Sequence, residues 1–482
     1  MKTNKLHIIA ISITIILAIF AGWYLLKPGY FAMHDDLQVM RFYQLERCFS
    51  DGQIPCRWVP DMGSGFGFPL FNYYSPLPYY FGMFFRWLGL PFMAVTNYTF
   101  FSSIIISGIA MYALVYKITK STSAGFLSSV MYIWAPYRSV QIFVRGALAE
   151  SFALALFPIV LLAIWNYAHQ TQNKFNIWLP LSLAGLYLSH NIMAMWFTPV
   201  ILGFAFLSLT NAHNLHFKKI LIFLIYYLWG LSLAGFFIIP ALLEKPLVKT
   251  ETLTQDYFNF RLHFATIKQL FVDRQWDYGP SRPGPVDDMS FQIGIIHWIV
   301  GCFSVLLSFW KIIRQRTTKN LLWIFFSFLF LLFVFLTHSK SVLLWEMIPI
   351  LSLTQFPWRL LAFVNLFSAM LGGYLLSNIR NTKNKVILLV IFVISTIIFN
   401  WSYFKPDNYD PKAIDSDKLQ VEWQKQQIGS IRDFLPNSVS TYDIPISDNR
   451  AYSLTTDGSI DTKNLLIWSD HFSLDVEVNG VD

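Results

Sequence analysis

Residues 76–91 read PLPYYFGMFFRWLGLP, and the topology of the whole chain turns on whether they cross a bilayer. The stretch could be a span. It carries Arg86 among a run of aromatics, a mixture that suits the membrane interface. Counting it as a span reverses every later loop and moves the basic clusters to the outside. Laid on the outer leaflet as an amphipathic segment, it leaves a consistent topology.

Apolar runs near 7–26, 93–116, 122–137, 150–168, 176–190, 192–210, 219–240, 291–310, 321–337, 358–377 and 386–403 then give about eleven transmembrane helices. The N-terminal run follows Met1-Lys-Thr-Asn-Lys5 and has no small-residue cleavage site after it. It reads as an uncleaved span with a cytoplasmic N-terminus. Lys2, Lys5, Lys117, Lys120, Lys174, Lys218, Lys219, Lys311, Arg314, Arg316, Lys319, Arg380, Lys383 and Lys385 all fall in alternate loops. This is the positive-inside pattern. The expected location is the cytoplasmic (inner) membrane.

Composition agrees. The 482 residues are 55% hydrophobic and only 13% charged, where soluble domains run near a quarter charged. The net charge of +8 is spread over short inter-span clusters, which excludes a nucleic-acid footprint. The expected organisation is a transmembrane domain over 1–404, with long outer loops at 27–92 and 241–290. A polar extracytoplasmic region follows at 405–482, and its strand-like end, LLIWSDHFSLDVEVNGVD, predicts a small β-containing domain. No internal repeat supports an inverted-repeat transporter. Cys302 lies in an apolar run and reads as a packing residue. Cys48 and Cys56 share one outer loop, where a disulfide and two free thiols are both open.

Chemistry-bearing residues gather in the outer loops. Met33-His34-Asp35-Asp36 follows the first span. Its two carboxylates can take a proton from an attacking hydroxyl, hold Mg²⁺ or Mn²⁺, or simply cap the amphipathic helix predicted over 37–50. Asp51-Gly52 ends that helix, and Arg57 follows in an aromatic, glycine-rich loop too long to be a mere connector. Tyr137-Arg138 and Arg145-Gly-Ala-Leu-Ala-Glu150 flank a turn between spans. They read either as a structural ion pair or as a site for an anion or metal. His190-Asn191 is a polar turn or a ligand pair. Asp287-Asp288 repeats the acidic theme, or caps a helix beginning at Met289. Gln355-Phe-Pro-Trp-Arg359 is an interfacial anchor or places a guanidinium for a lipid phosphate.

The stretches HDDLQVMRFYQL, DGQIPCRW, RGALAESFALALFP, LSHN, DDMSFQIG, QFPWRLL and IRDFLP, spread over residues 34–436, resemble bacterial polytopic membrane proteins with a "6-pyruvoyl-tetrahydropterin synthase-related domain". These are similar to YfhO-like proteins and distantly to the GT-C glycosyltransferases. The sequence has no zinc-site histidine triad of a soluble pterin enzyme. The resemblance implies a GT-C-like fold and an enzyme that takes a sugar from a polyprenyl-phosphate carrier on the outer face. The acceptor would be an envelope glycan, lipid or protein. It implies Asp35 and Asp36 as base or metal ligands and Glu150 as the second acid. His34, Arg57, Arg138, Arg145, His190 and Arg359 are the expected substrate and phosphate contacts. Related chains usually continue through further strands and often a final span, which points to truncation here. Two rival readings are a flippase or transporter of lipid-linked intermediates, and a non-catalytic envelope-assembly protein.

Overall fold

A computed structural model describes residues 2–170, 174–210, 217–284, 286–315, 318–420, 433–439, 458–467 and 472–480. Each of the eleven apolar runs carries a helix. Among the described residues, seven helices are long and apolar enough to cross a membrane, or eight if one bent pair counts as a single span. In chain order the helices used here are α1 (Lys2–Ala21), α2 (Gln38–Ser50), α3 (Leu77–Trp87), α4 (Phe92–Thr119), α5 (Thr122–Ile133), α6 (Leu148–His169), α7 (Trp178–Ser189) and α8 (Asn191–Thr210). Then come α9 (Phe217–Leu233), α10 (Gly235–Leu243), α11 (Ile295–Gln315), α12 (Thr318–Thr337), α13 (Leu361–Ser377) and α14 (Thr382–Asn400).

The stretch 76–91 forms α3, 11 residues long, which at 1.5 Å per residue spans only about 16 Å. That is about half a bilayer core, close to the 12-residue α5 and α7. Phe84, Trp87 and Leu88 are exposed on it. Arg86 reaches back to Glu46 of α2 at 2.8 Å, which ties the segment to the first long loop.

Several boundaries differ from the hydropathy reading. The 122–137 run stops being α-helical at Ile133, because Pro136 starts a separate turn. A π-helical turn follows at Val140–Val144. The 219–240 run is two helices bent by 70°. No helix begins at Met289; α11 starts at Ile295. The hairpin turn at 190–191 lies where expected, between α7 and α8.

α4, α5, α6 and α13 form the centre of the bundle; the span containing α13 is 89% buried. The backbones come close there: a methyl on Gly373 would sit 2.2 Å from Ser128 Oγ and 2.9 Å from the Ala124 carbonyl. Peripheral helices turn apolar side chains outward, as Ile391, Ile394 and Ile398 do on α14. Lipid, not water, satisfies such a surface. Cys302 belongs to it: the residue is exposed on α11 and does not pack inside.

The first loop is long but ordered. Cys48 and Cys56 are joined by a disulfide. Strand β1 (Tyr30–Phe31) pairs antiparallel with β2 (Tyr409–Asp410). Asp415 accepts hydrogen bonds from Phe92 N (2.7 Å) and Met93 N (2.9 Å), placing a carboxylate on the positive end of α4. The later strands β3 (Gly458–Ile467) and β4 (Phe472–Gly480) form an antiparallel pair. Residues 468–471, 481 and 482 of the predicted β stretch, and 431–432 of IRDFLP, lie outside the described residues.

Arg138 sits in the bundle centre, 1% exposed. It donates to the carbonyls of Ser103 (2.7 Å) and Ser151 (3.1 Å) and to the hydroxyls of Ser103 and Ser107, both at 3.2 Å. It thereby joins α4 to α6 rather than facing a loop. Hydrogen bonds to charged groups are worth more than neutral ones, so Arg138→Ala is expected to cost about 3 kcal/mol. Thermal unfolding in detergent micelles reads this as a clear drop in midpoint. Arg138→Lys should recover only part of it, because an ammonium lacks the planar fork.

Candidate functional site

The site is built on Glu150, in the first turn of α6, whose side chain is 1% exposed. A carboxylate taken that far from water must be paired and hydrogen-bonded. Its Oε1 accepts from Tyr137 OH (2.7 Å) and Gln141 Nε2 (3.0 Å). Its Oε2 accepts from Arg145 Nη1 at 2.6 Å. The π-helical turn supplies the geometry, with Arg145 N bonded to the Val140 carbonyl and Ala147 N to the Gln141 carbonyl. Such turns recur at functional sites. Here Tyr137, Gln141 and Arg145 all reach one carboxylate.

A second guanidinium faces the same oxygen. Arg359 Nε lies 3.9 Å from Glu150 Oε2, beyond hydrogen-bond reach, and has no hydrogen-bond partner among the described residues. Arg359 Nη1 donates to the Thr354 carbonyl (2.9 Å) and Gln355 Oε1 (2.8 Å). Two cations therefore share one anion, and the pocket holds a surplus positive charge. Trp358 lies beneath Arg145, whose guanidinium carbon is 4.7 Å from the ring centre. His190 stands within electrostatic reach of Glu150 and both arginines. Burial holds its imidazole down to about 4, with Glu150 opposing and the guanidiniums reinforcing, so it is neutral near pH 7.

Asp35 is brought to this cluster by the backbone. His34 N donates to the Val144 carbonyl (3.0 Å) and Asp35 N to the Arg145 carbonyl (2.9 Å). Gln38 Nε2 bridges Asp35 Oδ2 (3.0 Å) and the Gly146 carbonyl (2.8 Å). Gly146 has φ +63°, and a methyl there would land 2.2 Å from Met33 Sδ. Only glycine lets the two loops meet. Asp35 Oδ2 also accepts from Arg41 Nη1 (2.8 Å) and Tyr74 OH (3.2 Å). All these bonds fall on Oδ2, and the side chain is 31% exposed, so the carboxylate stays reachable.

Asp36 is placed differently. It pairs with Lys418 Nζ at 2.5 Å. Burial raises its pKa, while the lysine and the Tyr30 hydroxyl pull the other way. Neither aspartate caps α2, whose N-cap is Leu37. The two carboxylates expected to share Mg²⁺ or Mn²⁺ thus serve separate cations. Among the described residues no group of three or more His, Cys, Asp or Glu converges. The donor set does not form an ion cage.

Of the other predicted residues, His34 Nε2 bonds the Tyr278 carbonyl at 2.8 Å, and burial lowers its pKa. Arg57 faces Glu244 at 3.7 Å, half-exposed, away from the Glu150 network. Arg138 is structural. Asp287 accepts from Ser281 Oγ, Arg282 N and Gln269 Nε2, while Asp288 pairs with Arg282. Gln38, Arg41, Tyr74, Gln141 and Lys418 were not anticipated as site residues. The 35/38/41 spacing, one face of a helix entry, was the available signal for two of them.

A family model described as "6-pyruvoyl-tetrahydropterin synthase related domain; membrane protein" matches residues 71–406. No curated protein matches the sequence. Among solved structures, 18 chains match. The arabinofuranosyltransferase AftD from Mycobacteria aligns with a TM-score of 0.51 at 14% identity, over 85% of this chain and 28% of that one. The apo oligosaccharyltransferase of Archaeoglobus fulgidus aligns with a TM-score of 0.51 at 11% identity, over 84% of this chain and 57% of that one. The chain therefore spans well under two thirds of either relative. What is shared is the helical membrane fold of GT-C glycosyltransferases.

Glu150→Gln leaves two buried guanidiniums without a counter-charge and is expected to destabilise the fold by about 3–5 kcal/mol. Adding Arg359→Gln should return part of that loss in a double-mutant cycle; strict additivity would refute the shared-anion geometry. For His190 the sign follows from its lowered pKa. The unfolded chain binds a proton near the ordinary value of 6.5, which the folded chain refuses until about 4. Stability is therefore lost as pH falls through that window. Histidine ring NMR should find a neutral imidazole at pH 6.

Proposed function

The chain belongs to the 6-pyruvoyl-tetrahydropterin synthase related family of membrane proteins, and from that membership and the shared fold we propose that it is a membrane glycosyltransferase. It moves a sugar from a polyprenyl-phosphate-linked donor to a glycan, lipid or protein acceptor. The observation that carries this reading is the surplus guanidinium. Arg359 is only 13% exposed, shares Glu150 with Arg145, and belongs to a cluster joined by backbone bonds to a reachable carboxylate at Asp35. A cation without its own counter-ion favours an incoming phosphate, and an adjacent carboxylate accepts a proton.

In the proposed step the acceptor hydroxyl oxygen attacks the anomeric carbon and its proton passes to Asp35. The bond from that carbon to the carrier phosphate breaks, and its electron pair leaves with the phosphate. Arg359 and Arg145 take up the developing negative charge. Glu150 keeps the two guanidiniums in place and does not touch the reacting atoms. Arg41 and Tyr74 orient Asp35. Mg²⁺ or Mn²⁺ at Asp35 and Asp36 would have to displace Arg41 and Lys418, so this mechanism routes no step through a metal.

Two further features fit. The relatives sharing the fold are by name an arabinofuranosyltransferase and an oligosaccharyltransferase. The connecting segments at the end opposite the site, 119–122, 170–177, 210–217, 315–318 and 377–382, carry no Asp or Glu, and Lys120, Lys174, Arg316 and Arg380 fall in four of them. By the positive-inside rule that end faces the cytoplasm and the site faces out of the inner membrane. Eleven crossings follow if the short helices and the bent pair also traverse.

The test is transfer of labelled sugar into envelope glycans by membranes of the native host. Asp35→Asn is expected to lose about 10²–10⁴-fold and Arg359→Gln about 10²–10³-fold, with Asp36→Asn much milder. Full transfer by a folded Asp35→Asn protein would sink the proposal. Chelation with EDTA should change the rate by less than about twofold.

A further inference from the structure

The end of the bundle opposite the site holds a second feature. An apolar groove of about 360 Å³ opens between α11, α13 and α14. Phe303 and Leu307 line it from α11, Leu375 and Ile379 from the end of α13 and just beyond, and Leu388 and Phe392 from α14. No polar side chain lines it.

Three cations lie within about one helical turn of residues that line this groove. Lys311 follows Leu307 by four residues on α11, so the two share a face. Its ammonium bonds Asn378 Oδ1 and lies 5.8 Å from the Tyr374 ring centre. Arg380 follows the lining residue Ile379 and is exposed. Lys385 precedes Leu388 by three residues and Phe392 by seven, on the same face of α14. It is half-buried, where its neighbours 382–384 are exposed. None of the three forms an ion pair among the described residues. The connecting segments at this end contain no carboxylate to neutralise them.

An apolar slot capped by uncompensated cations, at the depth where the helices leave the bilayer, matches one chemistry. We propose that this groove binds an anionic phospholipid of the leaflet at that end. One acyl chain lies along Leu307, Leu388 and Phe392, and the phosphate sits among Lys311, Arg380 and Lys385. Basic pockets between membrane helices hold anionic headgroups in this way. A zwitterionic lipid would fill the slot equally well but would gain little from the cations.

Native mass spectrometry of the full chain, released from micelles containing equal phosphatidylglycerol and phosphatidylcholine, tests this. The wild type should retain phosphatidylglycerol preferentially. The variant with Lys311, Arg380 and Lys385 all changed to Gln should lose that preference by at least about tenfold, at roughly fivefold per cation. A control with Lys117, Lys174 and Lys218 changed to Gln removes the same charge elsewhere at that end and should keep it. Leu388→Trp, which fills the slot and leaves the charges, should also release the lipid. Equal retention by the first variant, or equal loss by the control, would overturn the proposal. Thermal midpoints in phosphatidylcholine alone confirm that each variant is folded before the lipid comparison is read.

Discussion

The carboxylate of Glu150 has almost no access to solvent, and the arrangement of the site follows from that fact. An ionised group at such a position is tolerated only when its lone pairs are met by donors and its charge by cations. Meeting them consumes Tyr137, Gln141 and Arg145, all drawn from the irregular segment between α5 and α6. The three recur every fourth residue, and the π-helical turn between them brings all three side chains to that one point. The π-helical turn and the left-handed Gly146 are the backbone's solution. Once the turn is fixed, its carbonyls at Val144, Arg145 and Gly146 point outward and dock the first loop. The position of Asp35 is thus a consequence of the burial of Glu150.

The surrounding bundle makes this workable. Serines and glycines let α4, α5, α6 and α13 approach closely, so that Arg138 can satisfy itself on serine carbonyls and hydroxyls. Two charged groups then lie close in sequence with opposite fates. Arg138 points into the centre, where both of its terminal nitrogens bond neutral serine oxygens. Arg145 points to the Glu150 carboxylate. Arg359 differs from both, since its best electrostatic partner is already taken.

Much of this was legible in the sequence, and what was not has physical causes. Every apolar run became a helix, because a long unbroken apolar segment has few alternatives in lipid. The run at 76–91 forms a short helix tied through Arg86 to Glu46 of α2. Helix ends were misjudged where hydropathy does not see backbone: Pro136 stopped α5 early, the 219–240 run is bent by 70°, and no helix starts at Met289. Of the expected site residues, Asp35, Arg145, Glu150, His190 and Arg359 come together, while Arg57 and Arg138 belong elsewhere. Pattern alone could not separate them, since a loop arginine reads the same whether it faces a carboxylate or a serine. Arg41 was partly legible from its spacing to Asp35. Lys418 was not, because nothing local announces a partner 382 residues away.

That long reach bears on how the protein is made. Ribosomal synthesis delivers the N-terminal helices first, so His34, Asp35 and Asp36 enter the membrane environment long before residues 405–420 exist. Until then Asp36 lacks its lysine, the β1 edge lacks β2, and the amides at the start of α4 lack the Asp415 carboxylate. The partly built bundle carries an acidic loop and a strand edge without these partners until residues 405–420 are made. The segment after α14 therefore acts as a clasp, and the end of the bundle that holds Glu150 reaches its final form only when the chain returns to its first loop.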